Sequence, residues 1–102
     1  MAETRPLFHP GADDDYAQAF TWYFARSPAV AYDFEREVER CLRLIVQSPL
    51  TWPKFDAQRR RIILRKFPYS LIYEIIEGKP IVLAVAHGRR RPFYWLERTK
   101  TS

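Results

Sequence analysis

The sequence predicts an α+β fold of the order β-α-α-β-β-β, a helical hairpin packed on a small, mainly antiparallel sheet. Three observations predict it. Apolar and aromatic residues recur at helical spacing between Tyr16 and Ile45, Ser27-Pro28 divides that stretch in two, and from Arg61 onward strand-length apolar runs take over. The 102 residues are the size of a single domain, expected to span 1–102, and leave no room for a second core.

Pro6 to His9 is short, apolar and bounded by Pro10-Gly11, which suits a brief opening strand. Asp13, Asp14 and Asp15 then place negative charge where a helix N-terminus stabilises it, and one of them is expected to cap the free amides. Tyr16, Ala19, Phe20, Tyr23 and Phe24 follow at helical spacing and give this helix an aromatic face, expected to be core. Ser27 caps the second helix and Pro28 is pre-shaped for its first turn. Ala31, Phe34, Val38, Cys41, Leu42 and Ile45 form its apolar stripe, with a charged face opposite that includes Glu39 and Arg43 at i,i+4. Ser48-Pro49 ends it.

Leu50 to Arg60 reads as a loop. Arg61 to Phe67 alternates as a strand, with Ile62 and Leu64 on one face and Arg61, Ile63, Arg65 and Phe67 on the other. Leu71 to Glu77 pairs back after a turn containing Pro68, and Gly78-Lys79-Pro80 interrupts the pattern. Ile81 to His87 is apolar on both faces, as a central strand should be.

Lysine and arginine outnumber acidic residues 17 to 12, a formal charge of +5, so an anionic partner is expected: nucleic acid, a nucleic-acid machine or an acidic protein. The positive charge peaks in Gly88 to Pro92 and in Arg59, Arg60 and Arg61, beside the aromatic cluster Phe93, Tyr94 and Trp95. Cys41 is the only cysteine, so no internal disulfide and no multi-cysteine metal site can form. No apolar run reaches signal-peptide or membrane-spanning length, and a soluble cytoplasmic protein that does not engage membranes is expected.

His9 and His87 are candidates for a pair of bases across the sheet, although a lone histidine at a strand end is more often a structural hydrogen-bonder. With no acidic neighbours at ligand spacing they predict no metal site, and no cofactor is expected. Ser70 lacks a triad, and Gly78 and Gly88 make no phosphate-cradling loop. Tyr94 and Trp95 can also anchor the C-terminus against the sheet.

The element order, the Trp22-Tyr23-Phe24 run, FEREVERCLRLI, FPYSLIYEI and VLAVAHGRRRPFYW together resemble the RelE/ParE superfamily of bacterial type II toxins, in particular its ParE-like branch of plasmid-stabilisation toxins. The resemblance runs from His9-Pro10 to Arg98. Phe67-Pro68-Tyr69, Tyr73 and an Arg-x-Pro-x-Tyr-Trp ending (Arg90, Pro92, Tyr94, Trp95) carry it together, more specifically than any one of them. It implies a cognate antitoxin whose acidic or disordered C-terminal segment wraps the toxin, meeting a basic surface formed by Arg59, Arg60, Arg89, Arg90 and Arg91 with Tyr94 and Trp95.

The superfamily implies two activities. ParE-like members inhibit DNA gyrase without being enzymes, whereas RelE-like members cleave mRNA on the ribosome with strand lysines and arginines and a C-terminal tyrosine. For cleavage by a 2′-hydroxyl this chain offers Arg61, Arg65, His87, Arg90 and Tyr94 as candidates, with Arg89 beside them. Aligned on the superfamily's strands, however, Ser70 stands in place of a catalytic arginine, Ile63 of a lysine and Gly88 of another arginine, so the catalytic set is incomplete. The expected function is therefore a growth-inhibiting toxin that binds gyrase. The alternatives are a ribosome-dependent mRNA endoribonuclease or an inactive nucleic-acid-binding remnant.

Overall fold

A computed structural model describes residues 5–91 and 93–100; Pro92 of the Arg-x-Pro-x-Tyr-Trp motif and the first four residues lie outside the described residues. The elements are β1 (Leu7–Phe8), α1 (Pro10–Arg26), α2 (Pro28–Gln47), β2 (Arg59–Ile63), β3 (Tyr69–Ile76), β4 (Lys79–His87) and a short α3 (Glu97–Lys100). The α+β order read from the sequence is the order observed. The four strands form one sheet in the order β1-β4-β3-β2, with β1 parallel to β4 and the other two pairs antiparallel. Ile81 to His87 lies in β4, between two neighbours, as its two apolar faces require.

The helical hairpin covers one face of the sheet. All six stripe residues of α2, from Ala31 to Ile45, are buried, and five of them join Ile62, Leu64, Leu71, Tyr73, Val82 and Val85 in one core. Ser27 accepts a hydrogen bond from the Val30 amide as the N-cap, with Pro28 in the first turn, and Ser48 closes the helix. In α1, by contrast, none of the aspartates is the cap. The helix begins at Pro10, earlier than expected, and His9 Nδ1 accepts from the Gly11 amide at 2.9 Å. Asp13 sits in the first turn, and Asp15 turns inward with Ala12 and Ala19. Only part of the expected aromatic face is core: Tyr16 and Tyr23 pack inward, whereas Phe24 is exposed, stacked on Phe20 and edge-on to Tyr32.

The strands depart from expectation at their ends. β2 starts at Arg59 and stops at Ile63, so Arg65 lies beyond it; Lys66 then takes a left-handed φ of 66° and swings Phe67 under the hairpin, against Phe34 and Tyr23. Phe67 is therefore on the side of Ile62 and Leu64, not of Ile63. Lys79 and Pro80 belong to β4, and the turn before them is the two-residue Glu77-Gly78, both at positive φ (51° and 78°). That geometry matches the twist of a tight hairpin. Between Ile72 and Tyr73 the register shifts, so that Leu83 is extra in β4, and Leu83 and Ala84 both pack on the far face of the sheet.

On that far face lies a second, smaller core. Ile72, Leu83, Ala84 and Trp95 are buried together, with Phe55 and Tyr94 packed against them, so the C-terminal segment folds back over the sheet. Gly78 is open on all sides, nothing lying within 4 Å of where a Cβ would sit. Gly78→Ala should thus destabilise by backbone strain alone, about 1 kcal/mol in urea denaturation, with the denaturant slope unchanged. A loss of several kcal/mol would mean that the added methyl group meets neighbours and that the position is not open.

Candidate functional site

Asp15 is the one charged residue buried among the described residues, at 6 % exposure. Its carboxylate accepts hydrogen bonds from the Val85 amide (3.1 Å), the Tyr94 hydroxyl (2.9 Å) and Arg98 Nη1 (2.8 Å), and Arg90 Nη1 approaches to 3.7 Å. Arg98 also donates to the Leu83 carbonyl at 2.8 Å. β1 pairs only with Ile81 and Val82, so these side chains occupy the edge of β4 that the short strand leaves uncovered. Gly11 makes this possible, because a Cβ there would stand 2.4 Å from Arg98 Nε.

Tyr94 is thereby fixed as a donor. Burial, and then the Asp15 carboxylate beside it, hold its phenol well above the ordinary value. For Arg98, burial acts against the charge, but the bond and the charge of Asp15 outweigh it and raise the guanidinium. Sequence reasoning read Asp15 as a capping candidate and gave Arg98 no role. The signal was the spacing of Ala12, Asp15 and Ala19, which puts an acid on a buried helical stripe.

Beyond this lock a cleft of about 270 Å³ opens on the far face of the sheet. Arg61, His87, Arg90 and Tyr94, four of the five catalytic candidates, line it together with Arg91 and Phe93. Arg90 lies over the Tyr94 ring at 4.0 Å, and Arg61 over Phe55 at 5.1 Å. His87 Nδ1 accepts from the Arg89 amide at 2.9 Å, which leaves Nε2 to carry the proton of the neutral ring. The fifth candidate, Arg65, is not in this cleft but beside α2. Nor do the two histidines meet: His9 is bonded next to Val82, five residues along β4 from His87, or roughly 16 Å away.

The expected binding residues divide in the same way. Arg89 and Arg91 are exposed near the cleft rim. Arg59 is mostly covered, ion-paired with Asp56 and Glu74 and stacked on the Trp95 ring at 5.4 Å. Trp95 itself is 2 % exposed and anchors the far-face core. Arg60 points to the hairpin side, donating to the Trp52 carbonyl at 2.8 Å. Of the first basic run, then, only Arg61 meets Arg90 and Arg91 at the cleft, while Arg59 and Arg60 are engaged elsewhere. Ser70 and Gly88 do line the cleft, and Ile63, paired with Ser70, is exposed beside it. Cys41 is inert by contrast: burial, with Glu37 nearby, pushes its thiol up to about 11.

Fold and cleft define a small, cation-rich protein with a helical hairpin on one side of its sheet and an arginine- and aromatic-lined cleft on the other. A family model described as the ParE toxin of the type II toxin-antitoxin system, parDE, matches residues 7–92, and the chain belongs to that family. Two curated relatives, each named Toxin ParE2 and coming from Mycobacterium tuberculosis strains CDC 1551 / Oshkosh and ATCC 25618 / H37Rv, are 29 % identical over 85 residues, covering 82 % of this chain and 81 % of theirs. Membership implies a cognate antitoxin partner. Among the described residues no helix is long and apolar enough to cross a membrane.

The lock makes two predictions. Asp15→Ala strands Arg98 and the Val85 amide, and should cost about 3 kcal/mol and red-shift tryptophan emission as Trp95 loosens. An unchanged unfolding midpoint would show that water replaces the carboxylate. Tyr94, and also Tyr16 (raised by burial and then by Glu39), keep their protons longer in the folded chain. Their contribution to stability is full below the ordinary phenol value of about 10 and is lost as pH rises above it. Tyr94→Phe should make that alkaline decline shallower in urea titrations; an identical decline would place the phenol in solvent.

Proposed function

We propose that the chain arrests growth by binding DNA gyrase through the far-face cleft, as the toxin of a plasmid-stabilisation module in the cytoplasm, and that it does not cleave RNA. The observation that carries this reading is the commitment of Tyr94. Its hydroxyl donates to a buried carboxylate and is held protonated, so it is a poor base, and a poor acid for a leaving oxygen. The cleft's composition supports the same conclusion. Ser70 and Gly88 put no cation where the resemblance to RNA-cleaving relatives places one, and Arg65 is turned to the other side of the molecule. What remains is a cleft with Arg61, Arg90 and Arg91 around aromatic walls, suited to holding an anionic or aromatic surface rather than to moving protons.

Purified protein should inhibit gyrase supercoiling while mRNA from induced cells shows no new cuts in primer extension. Arg61→Glu with Arg91→Glu should raise the half-inhibitory concentration at least about tenfold, or ~1.4 kcal/mol. New cuts in ribosome-bound mRNA, abolished by Arg90→Ala and absent from naked RNA, would instead establish the endoribonuclease.

A further inference from the structure

Arg36, Arg40 and Arg43 recur along α2 at i, i+4 and i+7, which aligns them on one face over about 10 Å of helix axis. The turn after β2 brings Arg65 and Lys66 beside them. With Asp33, Glu37 and Phe67 these residues line an open groove of about 460 Å³, separated by the sheet from the cleft of Arg61 and Arg91. Its two acids are already engaged. Asp33 pairs with Arg36, and Glu37 takes both Arg40 nitrogens at 2.9 and 2.8 Å, a bond that, with the Arg65 amide, holds the Glu37 carboxyl below its ordinary value. Arg43, Arg65 and Lys66 have no carboxylate within ion-pair distance among the described residues.

The turn that presents them is built rigidly. Glu37 accepts the Arg65 amide at 2.6 Å, Lys66 is held at a positive φ that a lysine rarely adopts, and the Phe67 ring is wedged against Phe34 and Tyr23. Strain of this kind persists only where the surroundings enforce it, and here it puts two cations beside a third on α2.

We propose that this groove docks an acidic, extended segment of the cognate antitoxin. Three cations that make no contact ion pair among the described residues match a run of carboxylates, although Arg65 lies within the field of Glu37, and 10 Å of track accommodates about three extended residues. A nucleic acid fits less well: strand binders add exposed rings for base stacking, and the one ring here, Phe67, is already packed beneath the hairpin. The proposal rests on membership of the toxin family and not on gyrase as the target.

The test measures association of the full-length antitoxin, co-expressed from the adjacent reading frame and repurified, with three double variants, two of them charge-reversed and one charge-neutralised. Arg43→Glu with Lys66→Glu should slow association about tenfold at low salt and flatten its salt dependence, Arg43→Gln with Lys66→Gln should fall between, and Arg89→Glu with Arg91→Glu should stay within about twofold. Far-UV circular dichroism and urea midpoints confirm folding, which these exposed positions should leave intact. Expressed alone, the Arg43 and Lys66 variant should still arrest growth, which separates failed docking from a wrong target. Equal slowing in both charge-reversed variants, no slowing in the groove variant, or loss of binding to a dT20 oligonucleotide with antitoxin capture unchanged would each overturn the proposal.

Discussion

The carboxylate of Asp15 does for the outer edge of β4 what a longer neighbouring strand would otherwise do. β1 is two residues long, and past Val82 the edge of β4 would present unpaired backbone groups beside an apolar face. One buried acid on α1 meets the Val85 amide and accepts the Tyr94 hydroxyl, and its other partner, Arg98, returns to β4 at the Leu83 carbonyl. A charge taken out of water is tolerated only with this many donors around it. The far-face cleft follows from the same contact, because Tyr94 and Arg98 are what hold Trp95 and its neighbours over Ile72, Leu83 and Ala84.

That arrangement also sorts the chain's excess of positive charge. The alternation of β2 sends Arg61 to the far face and Arg60 to the hairpin side, while Arg59 is consumed by Asp56, Glu74 and the Trp95 ring. The left-handed turn at Lys66 then carries Arg65 away from the cleft and toward α2. The positive charge thus has two settings: Arg61, Arg90 and Arg91 stand among aromatic walls on the far face, and Arg65 and Lys66 stand beside the arginines of α2.

What was legible in the sequence was whatever short-range physics decides. The stripe of α2 and its Ser27-Pro28 start follow from periodicity and capping, and the β-α-α-β-β-β order follows from the change of period near Arg61. What was not legible depends on partners far along the chain. Three consecutive aspartates look like helix-capping residues, and nothing local says that the third meets an amide 70 residues away and an arginine 83 residues away. Arg59 and Arg60 looked like loop because their charges mask long stems that pack well, one of them on Trp95. The Lys66 turn is not legible because the residue type gives no sign of a positive φ.

The central claim, that the Asp15 carboxylate takes the place of a strand at the edge of β4, is tested most directly by native-state hydrogen exchange at the Val85 amide. That amide faces away from β3 and has no strand partner. Protection comparable to that of amides bonded within the β3–β4 ladder, falling selectively in Asp15→Ala while the ladder stays protected, is the predicted result. Rapid exchange of Val85 in the unaltered protein, at the rate of an open sheet edge, would contradict it.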